Sequence, residues 1–396
     1  MARVLILGGS HSDVPLIESS ILHGLEVHTT GNRPEHPGHR FAHSYIPGDF
    51  SDKQQMLEIA RSIKADFILP GANDFAMISA AYVAEKMGLP GYDAYATVEL
   101  LHHKDQFKAF AQSMQLPVCH SNTIDLSSEQ PFDVQCAGLK PPLMIKPVDL
   151  TGGKGISRID RLSELDTAIT EAQKLSRQER AVAEEWFDGT LHSYSTAVQG
   201  GEIVFEYIDT ERCMYQNCLV STSMSCSPVT PEAHATLREG TSRMIRELQL
   251  VDGVLHSQFL ANGDDVRVLE YTRRMSGDLY SKVVQLVRGI RHADIFVRSA
   301  LGRSFSDTLV ATQSQRPYVV RHCVTAECDG HFDRLLIEDS ILTSIHDIAL
   351  AVPFGSPVCG DGRSKVATVI LSFPSEEQMM EFVASCKITI RCGVKK

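Results

Sequence analysis

Over its first hundred residues the chain alternates between strand and helix patterns in an order that few folds accommodate. Residues 3–9, RVLILGG, form a continuous β-prone run, DVPLIESSILHG has helical spacing, and LEVHTTGN is a second strand closed by Gly31-Asn32. Ser51 with Gln54 is expected to form a capping box for the helix KQQMLEIARSIK, and DFILPG ends a further strand at a loop before NDFAMISAAYVAEKMG. Strands joined through helices run parallel, so this order predicts a parallel sheet with helices on both faces.

The rest of the chain is long enough for more than one such unit. Its 396 residues, 43% of them hydrophobic, can bury a large core divided among two or three domains. A net charge of −11 with no long basic or acidic run disfavours nucleic acid and anionic membrane surfaces, which leaves small molecules as the expected partners. No apolar run reaches the roughly 18 to 20 residues of a membrane span, and the opening MARVLILGGSHSD reads as a strand and its loop rather than a signal peptide. Ten cysteines are scattered without a zinc-type pair, as expected of reduced thiols in a cytoplasmic protein.

Several short stretches carry chemistry. Gly8-Gly9-Ser10 follows the first strand and reads either as a phosphate cradle or as a tight turn that needs glycine. Asn73 and Asp74 lie just past a strand's C-terminal end, where open α/β sheets bind ligands, and read equally as caps of the next helix. From about residue 95 the pattern changes: ATVELLHHKDQFKAFAQSMQ reads as one helix ending at Leu116-Pro117, and strands predominate after it. Lys104 sits on that helix, and Lys146 closes the apolar strand PLMIKP, where a charge must find a partner or solvent.

In LMIKPVDLTGGKGISRI, two strands flank the tip Thr151-Gly152-Gly153-Lys154-Gly155, which can fold backbone N–H groups and one cation over a triphosphate or serve simply as a flexible hairpin tip. It lacks the Walker spacing and the helix that would follow. The strand AVAEEWFDGT passes through Glu184-Glu185-Trp186-Phe187 to a turn at Asp188-Gly189, and reads as an adenine-binding hinge or as an edge strand with solvated glutamates. Finally, SQFLANGDDVRVLEYTRR forms a hairpin with its turn in Asn262-Gly263-Asp264-Asp265. A three- or five-residue loop would put His256, Gln258, Glu270 and Thr272 on one face and Leu255, Phe259, Leu269 and Tyr271 on the other; a two- or four-residue loop would separate Gln258 from Glu270.

A helix lysine, a strand lysine before a Gly-rich loop, an acid-rich hinge and a hairpin with E-x-x-x-R and a following glycine, in this order, resemble the ATP-grasp superfamily. The likeness is to its carbamoyl-phosphate-synthase-like and L-amino-acid-ligase branch, and spans roughly residues 1 to 300. The resemblance implies an N-terminal parallel α/β (pre-ATP-grasp) domain over 1–95, a central ATP-grasp domain over 96–300 and a small C-terminal αβ cap subdomain over 301–396. It implies that Lys104, Lys146 and the loop Gly152, Gly153, Lys154 and Gly155 hold ATP phosphates. Glu184 then looks like the acceptor of the adenine amine, and Glu185, Trp186 and Phe187 like the hinge that reads the adenine edge. Where the family has a ribose-binding acid this chain has Leu191, and His192 is the expected substitute.

By the same resemblance, Glu270, Gln258 and Thr272 occupy the positions that bind Mg2+. Gln258 replaces a carboxylate and Thr272 an asparagine, so the set carries less charge than usual for a hard divalent ion. Arg274 matches the family's arginine and suits a carboxylate or the transferring phosphoryl group, with Lys154 as the other catalytic candidate. Asn73, Asp74, Arg274 and Gly277 are the expected substrate contacts, and Arg273 alternates to a structural role. PYVVRHCVTAE, DIALAVPFG and SKVATVILSF read as strands, Ser375 with Gln378 caps a last helix, and Arg321 and His322 receive no role. The expected activity is ATP-dependent carboxylate–amine ligation through an acyl phosphate. The alternatives are a bicarbonate-using carboxylase or carbamoyl-phosphate-forming enzyme, and an ATP-binding protein without turnover. A homodimer is the expectation from similar proteins.

Overall fold

A computed structural model describes residues 1–213, 218–311 and 315–395. The N-terminal sheet is built from β1 (Arg3–Leu7), β2 (Glu26–Gly31), β3 (Ser44–Pro47) and β4 (Phe67–Pro70) in the order β3-β2-β1-β4, and every pairing is parallel. Alternation along β1 explains why both faces are covered. Val4 and Ile6 pack toward α1 (Val14–Leu22), while Leu5 and Leu7 pack with Met56 and Leu57 of α2 (Lys53–Ser62) and Ala76 and Ala80 of α3 (Asp74–Met87). The cap of α2 is Asp52, whose carboxylate accepts from the amides of Gln54 and Gln55; Ser51 lies one residue too early for the role expected of it.

The predicted single helix is two, α4 (Tyr95–His102) and α5 (Lys104–Ser113). His103 between them is extended, at φ −76° and ψ 114°, and the amide of Lys104 bonds to the carbonyl of Val148 instead of continuing a helical ladder. A small sheet follows, from β5 (Ser121–Asp125), β6 (Leu143–Pro147), β7 (Ser157–Ile159) and β8 (Arg180–Glu185) in the order β5-β8-β6-β7. A short α6 (Phe132–Gln135) and α7 (Leu165–Leu175) cover it through Leu165 and Ile169, packed on Ile124, Leu143 and Ile145. β8 is an interior strand, which removes the edge-strand reading of the EEWF segment.

The central sheet starts with β9 (Thr190–Gln199), β10 (Glu202–Cys213) and β11 (Val220–Met224), and continues after α8 (Pro231–Glu247) with β12 (Gly253–Asn262) and β13 (Asp265–Thr272). After α9 (Tyr280–Arg288) and α10 (His292–Ala300) come β14 (Val319–Thr325), β15 (Gly330–Ile337), β16 (Ile345–Leu350), β17 (Pro357–Val358), β18 (Lys365–Ser372), α11 (Glu376–Thr389) and β19 (Ile390–Lys395). The expected C-terminal strands β14, β16 and β18 extend the central sheet to eight, in the order β13-β12-β9-β10-β11-β14-β18-β16, and β17-β15-β19 form a separate sheet. Ser375 caps α11 through the amide of Gln378, as its sequence predicts.

One face of the central sheet packs Tyr194, Leu255, Phe259, Val268 and Tyr271 against Phe107 of α5 and Leu237 and Met244 of α8. The opposite face is apolar at one end, where Ala197, Phe205 and Val254 share a core with α9, α10 and the N-terminal sheet. At its other end it is polar. A single core thus joins the N-terminal unit to the central one and fixes how the first βα turns meet the polar end.

Candidate active site

The hairpin that suggested a metal site pairs as expected, by an unexpected route. Asn262 faces Asp265, so the loop is the two residues Gly263-Asp264, with Gly263 at φ 57°. That loop alone would set Gln258 opposite Leu269. A bulge between Gln258 and Phe259 inserts Leu269 as an extra residue, after which Gln258 pairs with Glu270 and His256 with Thr272. Val268 takes the buried position expected of Leu269. Burial on the opposite face decides the register, and the bulge absorbs the mismatch.

Around this hairpin the structure gathers most of the expected residues. Lys104 Nζ donates to the carbonyl of Leu150 at 2.6 Å and stands 3.9 Å from Glu270 Oε2. Lys146 Nζ donates to Glu184 Oε2 at 2.7 Å. Lys108, one turn after Lys104 and unremarked in the sequence, takes the other oxygen of Glu184 at 3.0 Å and also donates to the carbonyl of Val268. Burial by itself would push Glu184 up, but the charges and hydrogen bonds of the two lysines outweigh it and hold the carboxyl at about 2. Glu184 is therefore ion-paired on both oxygens rather than set aside for an adenine amine.

The hinge beyond it is partly committed as well. The Glu185 amide bonds to the carbonyl of His120 and the Trp186 amide to that of Pro142, whereas the Phe187 amide has no hydrogen bond among the described residues. Trp186 lies under the guanidinium of Arg158 and Phe187 under that of Arg267. His192 is on the wrong face. It is 1% exposed, stacked on Phe259 at 5.2 Å and hydrogen-bonded to the carbonyl of Asp209, and burial drives its pKa down to about 4. Strand alternation sends residue 192 into the core and residues 191 and 193 toward the site, so His192 does not stand in for the ribose acid.

The Gly-rich loop is held at both ends. Asp149 in its stem accepts from Ser176 Oγ and the Arg177 amide, each at 2.8 Å. Arg363, in the segment before β18, donates to the carbonyls of Gly152 and Gly153 at 3.1 and 3.2 Å. Lys154 is exposed at the tip, and Gly155 at φ 69° packs so closely on Pro147 that an added Cβ would meet its Cγ at 2.8 Å.

Of the expected substrate contacts, Asn73 is the cap of α3, its side chain accepting from the Phe75 amide. Asp74 binds Arg274 through both oxygens, at 2.9 and 2.8 Å. The Gly277 carbonyl accepts from Arg321 Nη1 at 3.2 Å. Arg273 is structural, as expected: it pairs with Asp93 and bonds to the carbonyls of Val254 and Val251. Gly8-Gly9-Ser10 is a turn filled by the chain's own carboxylate, since Asp13 accepts from the Ser10 and Ala72 amides at 2.8 and 2.7 Å.

Besides Lys108, three charged residues of the site were given no role from the sequence. Asp209 and Glu211 alternate on β10 toward the polar face, and burial, with each other's charge, pushes Glu211 up; burial likewise raises Asp209. Arg321, 4% exposed, reaches between Glu211 at 3.7 Å, Asp278 at 3.9 Å and Ser223 Oγ at 3.0 Å. A charge inside the apolar run VVRHCV was the available signal, the same one that marked Lys146.

The donor set suits magnesium. Glu270, the Gln258 amide and Thr272 lie on one face as hard oxygen donors, and Thr272 Oγ1 is buried without a hydrogen-bond partner among the described residues. No three His, Cys, Asp or Glu side chains converge as a metal cage among those residues, so an ion here would complete its shell from a bound ligand and water.

No protein-family model matches the chain. A formate-dependent phosphoribosylglycinamide formyltransferase of Prochlorococcus marinus is 24% identical over 284 residues, which cover 69% of this chain and 70% of that protein. Among solved structures, the L-amino acid ligase of Bacillus licheniformis superposes with a TM-score of 0.82 at 16% identity, over 100% of this chain and 99% of that one. The biotin carboxylase domain of the Hydrogenobacter thermophilus 2-oxoglutarate carboxylase, a dimer holding MgADP, ADP and bicarbonate, superposes with a TM-score of 0.79 at 17% identity, over 100% and 91%. In fold, an α/β domain followed by two further sheets, the chain is similar over its whole length to these ligase and carboxylase structures.

Proposed function

We propose that the chain is an ATP-dependent ligase that joins a carboxylate to an amine as an amide or peptide bond, through an acyl phosphate, with release of ADP and phosphate. The observation that carries this reading is the convergence of Lys104, Lys146, the Gly-rich loop and Glu270 around the Gln258–Glu270 pair. The names of the relatives, a formyltransferase acting on phosphoribosylglycinamide and an amino acid ligase, support the same class. Glu270, the Gln258 carbonyl and Thr272 would hold Mg2+, which when bound neutralises charge on the transferring phosphoryl group. Lys104 and Lys146 orient the triphosphate, and the loop 152–155 excludes water from the acyl phosphate. The hinge donor to the base is the Phe187 amide, the one without a hydrogen bond among the described residues. Arg274, its fork already bound by Asp74, acts on the carboxylate through its fixed charge, and Arg321 beside the polar face adds a second fixed cation.

The chemistry is mostly positioning and charge neutralisation, and needs no nucleophilic side chain. We keep 1–95, 96–300 and 301–396 as its three functional units, the last lending strands to the central sheet. Among the described residues no helix is long and apolar enough to cross a membrane, and a cytoplasmic enzyme acting on small molecules as a homodimer fits the reading. Coupled ADP-release assays with pooled amino acids and small carboxylic acids, with and without bicarbonate, test it. Turnover that depends on an amine is expected. Turnover that needs bicarbonate alone would move the chain to the carboxylase class, and ATP binding without release under any pool would mark it as non-catalytic.

A further inference from the structure

A neutral amide at 258 is the weakest point of the metal site, and its surroundings compensate for it. A carboxamide has a donor end and an acceptor end that a half-turn exchanges, and only the oxygen can bind a cation. Gln258 Nε2 donates to Glu211 Oε2. This contact sets the amide with its nitrogen toward Glu211 and its oxygen away from it. The other carboxyl oxygen of Glu211, its Oε1, lies 3.7 Å from Arg321 Nη2, and Arg321 is itself tied to Ser223 Oγ and the Gly277 carbonyl.

The sheet explains how a residue two strands away reaches this position. Gln258 pairs with Ser193 on β9, and Ser193 with Asp209 on β10, so residues 258, 193, 209 and 211 face the same side. Glu211 lies one residue past the last register pair, Thr210 with His192, and so stands beside Leu191. With only Leu191 and Ser193 between them on β9, two long side chains can meet over the intervening strand, whose neighbours are about 9 to 10 Å apart. Glu211 is 5% exposed, so its charge is little screened by water.

Resting on the ligase reading, we propose that Glu211 is a positioning residue for the magnesium site: by accepting from Nε2 it holds Gln258 with the amide oxygen toward the ion. It acts through Gln258 rather than as a ligand itself; among the described residues no three His, Cys, Asp or Glu side chains converge as a cage. Partners behind a metal ligand orient it and tune its basicity, and their loss typically costs roughly 10–100-fold in metal affinity.

The test is Mn2+ uptake, followed by the electron paramagnetic resonance signal of the free ion, in the presence of a non-hydrolysable ATP analogue. It compares the wild type, Glu211→Gln and the exchanged pair Glu211→Gln/Gln258→Glu. The single variant is expected to lose affinity by roughly 10–100-fold, and the exchanged pair to recover most of it, because one carboxylate and one amide again share the contact. Affinity for the analogue without metal is expected to be the same in all three. Wild-type uptake equalled by Glu211→Gln overturns the proposal, as does an equal loss of metal-free analogue binding, which marks a merely structural role. Should the single variant not fold, the exchanged pair decides alone: Mn2+ affinity no better than that of Gln258→Ala overturns the proposal. A wild type that binds no analogue at all is a different result, and fails the ligase reading itself.

Discussion

Arg274 meets Asp74 with two parallel contacts, Nε to Oδ1 at 2.9 Å and Nη2 to Oδ2 at 2.8 Å, and so ties the strand end after β13 to the first residue of α3. The pair is nearly buried, with 14% and 6% of the two side chains exposed. Removing one partner leaves the other charged and desolvated, a change that costs about 3 kcal/mol or more. Asp74→Asn is therefore expected to lower unfolding free energy by about that amount in urea titrations. A midpoint within error of the wild type would mean that the pair is not formed in solution.

Glu184 lies between Lys108 and Lys146, and its pKa, held at about 2 against an ordinary value of 4.5, makes folding depend on pH. A depressed acid contributes stability that is full above its unfolded pKa and lost as pH falls through the folded one. The loss should run from about pH 4.5 down to about pH 2, amounting to a few kcal/mol. In Glu184→Gln the two lysines are left without their counter-ion, so the variant is less stable at neutral pH and its acid profile flatter over that window. Acid titrations of both proteins by circular dichroism check this, and parallel profiles would overturn it.

What the sequence revealed and what it hid follow from the range of each interaction. The βα units of the first hundred residues were legible because strand and helix periodicities are local, whereas the face shared by Gln258 and Glu270 was read from a loop length that the hairpin does not have. The bulge at Leu269, which brings those two residues together, was not legible, since it answers burial of Phe259 and Tyr271 against α5, an element distant in the chain. Lys108, Glu211 and Arg321 escaped because their partners lie 76, 47 and 98 residues away. His192 was misread by one position of strand alternation, which is all that separates the core from the cleft.

Arg363 binds the carbonyls of Gly152 and Gly153 from a segment more than two hundred residues away, so the C-terminal unit clamps the Gly-rich loop. Arg363→Ala removes both bonds while Asp149 keeps the stem anchored. The tip should then open more often, and trypsin should cut after the exposed Lys154 several-fold faster, with circular dichroism unchanged. Saturating ADP should slow cleavage in both proteins. Equal cleavage rates would show that the guanidinium does not restrain the loop.

Gly9 has no room for a side chain. Its carbonyl accepts from the Gly38 amide at 2.8 Å, and an added Cβ would overlap the imidazole of His39. That ring cannot easily withdraw, because Nδ1 bonds to Thr29 Oγ1 at 2.9 Å and its face lies 4.1 Å from Tyr45. Gly9→Ala therefore overpacks the turn and should cost about 1–3 kcal/mol, read as a lowered urea midpoint at constant slope. Because Asp13 already fills the anion position of this turn, added phosphate should not rescue the variant. Rescue by phosphate would restore the cradle reading of Gly8-Gly9-Ser10, and an unchanged midpoint would mean that His39 moves aside without cost.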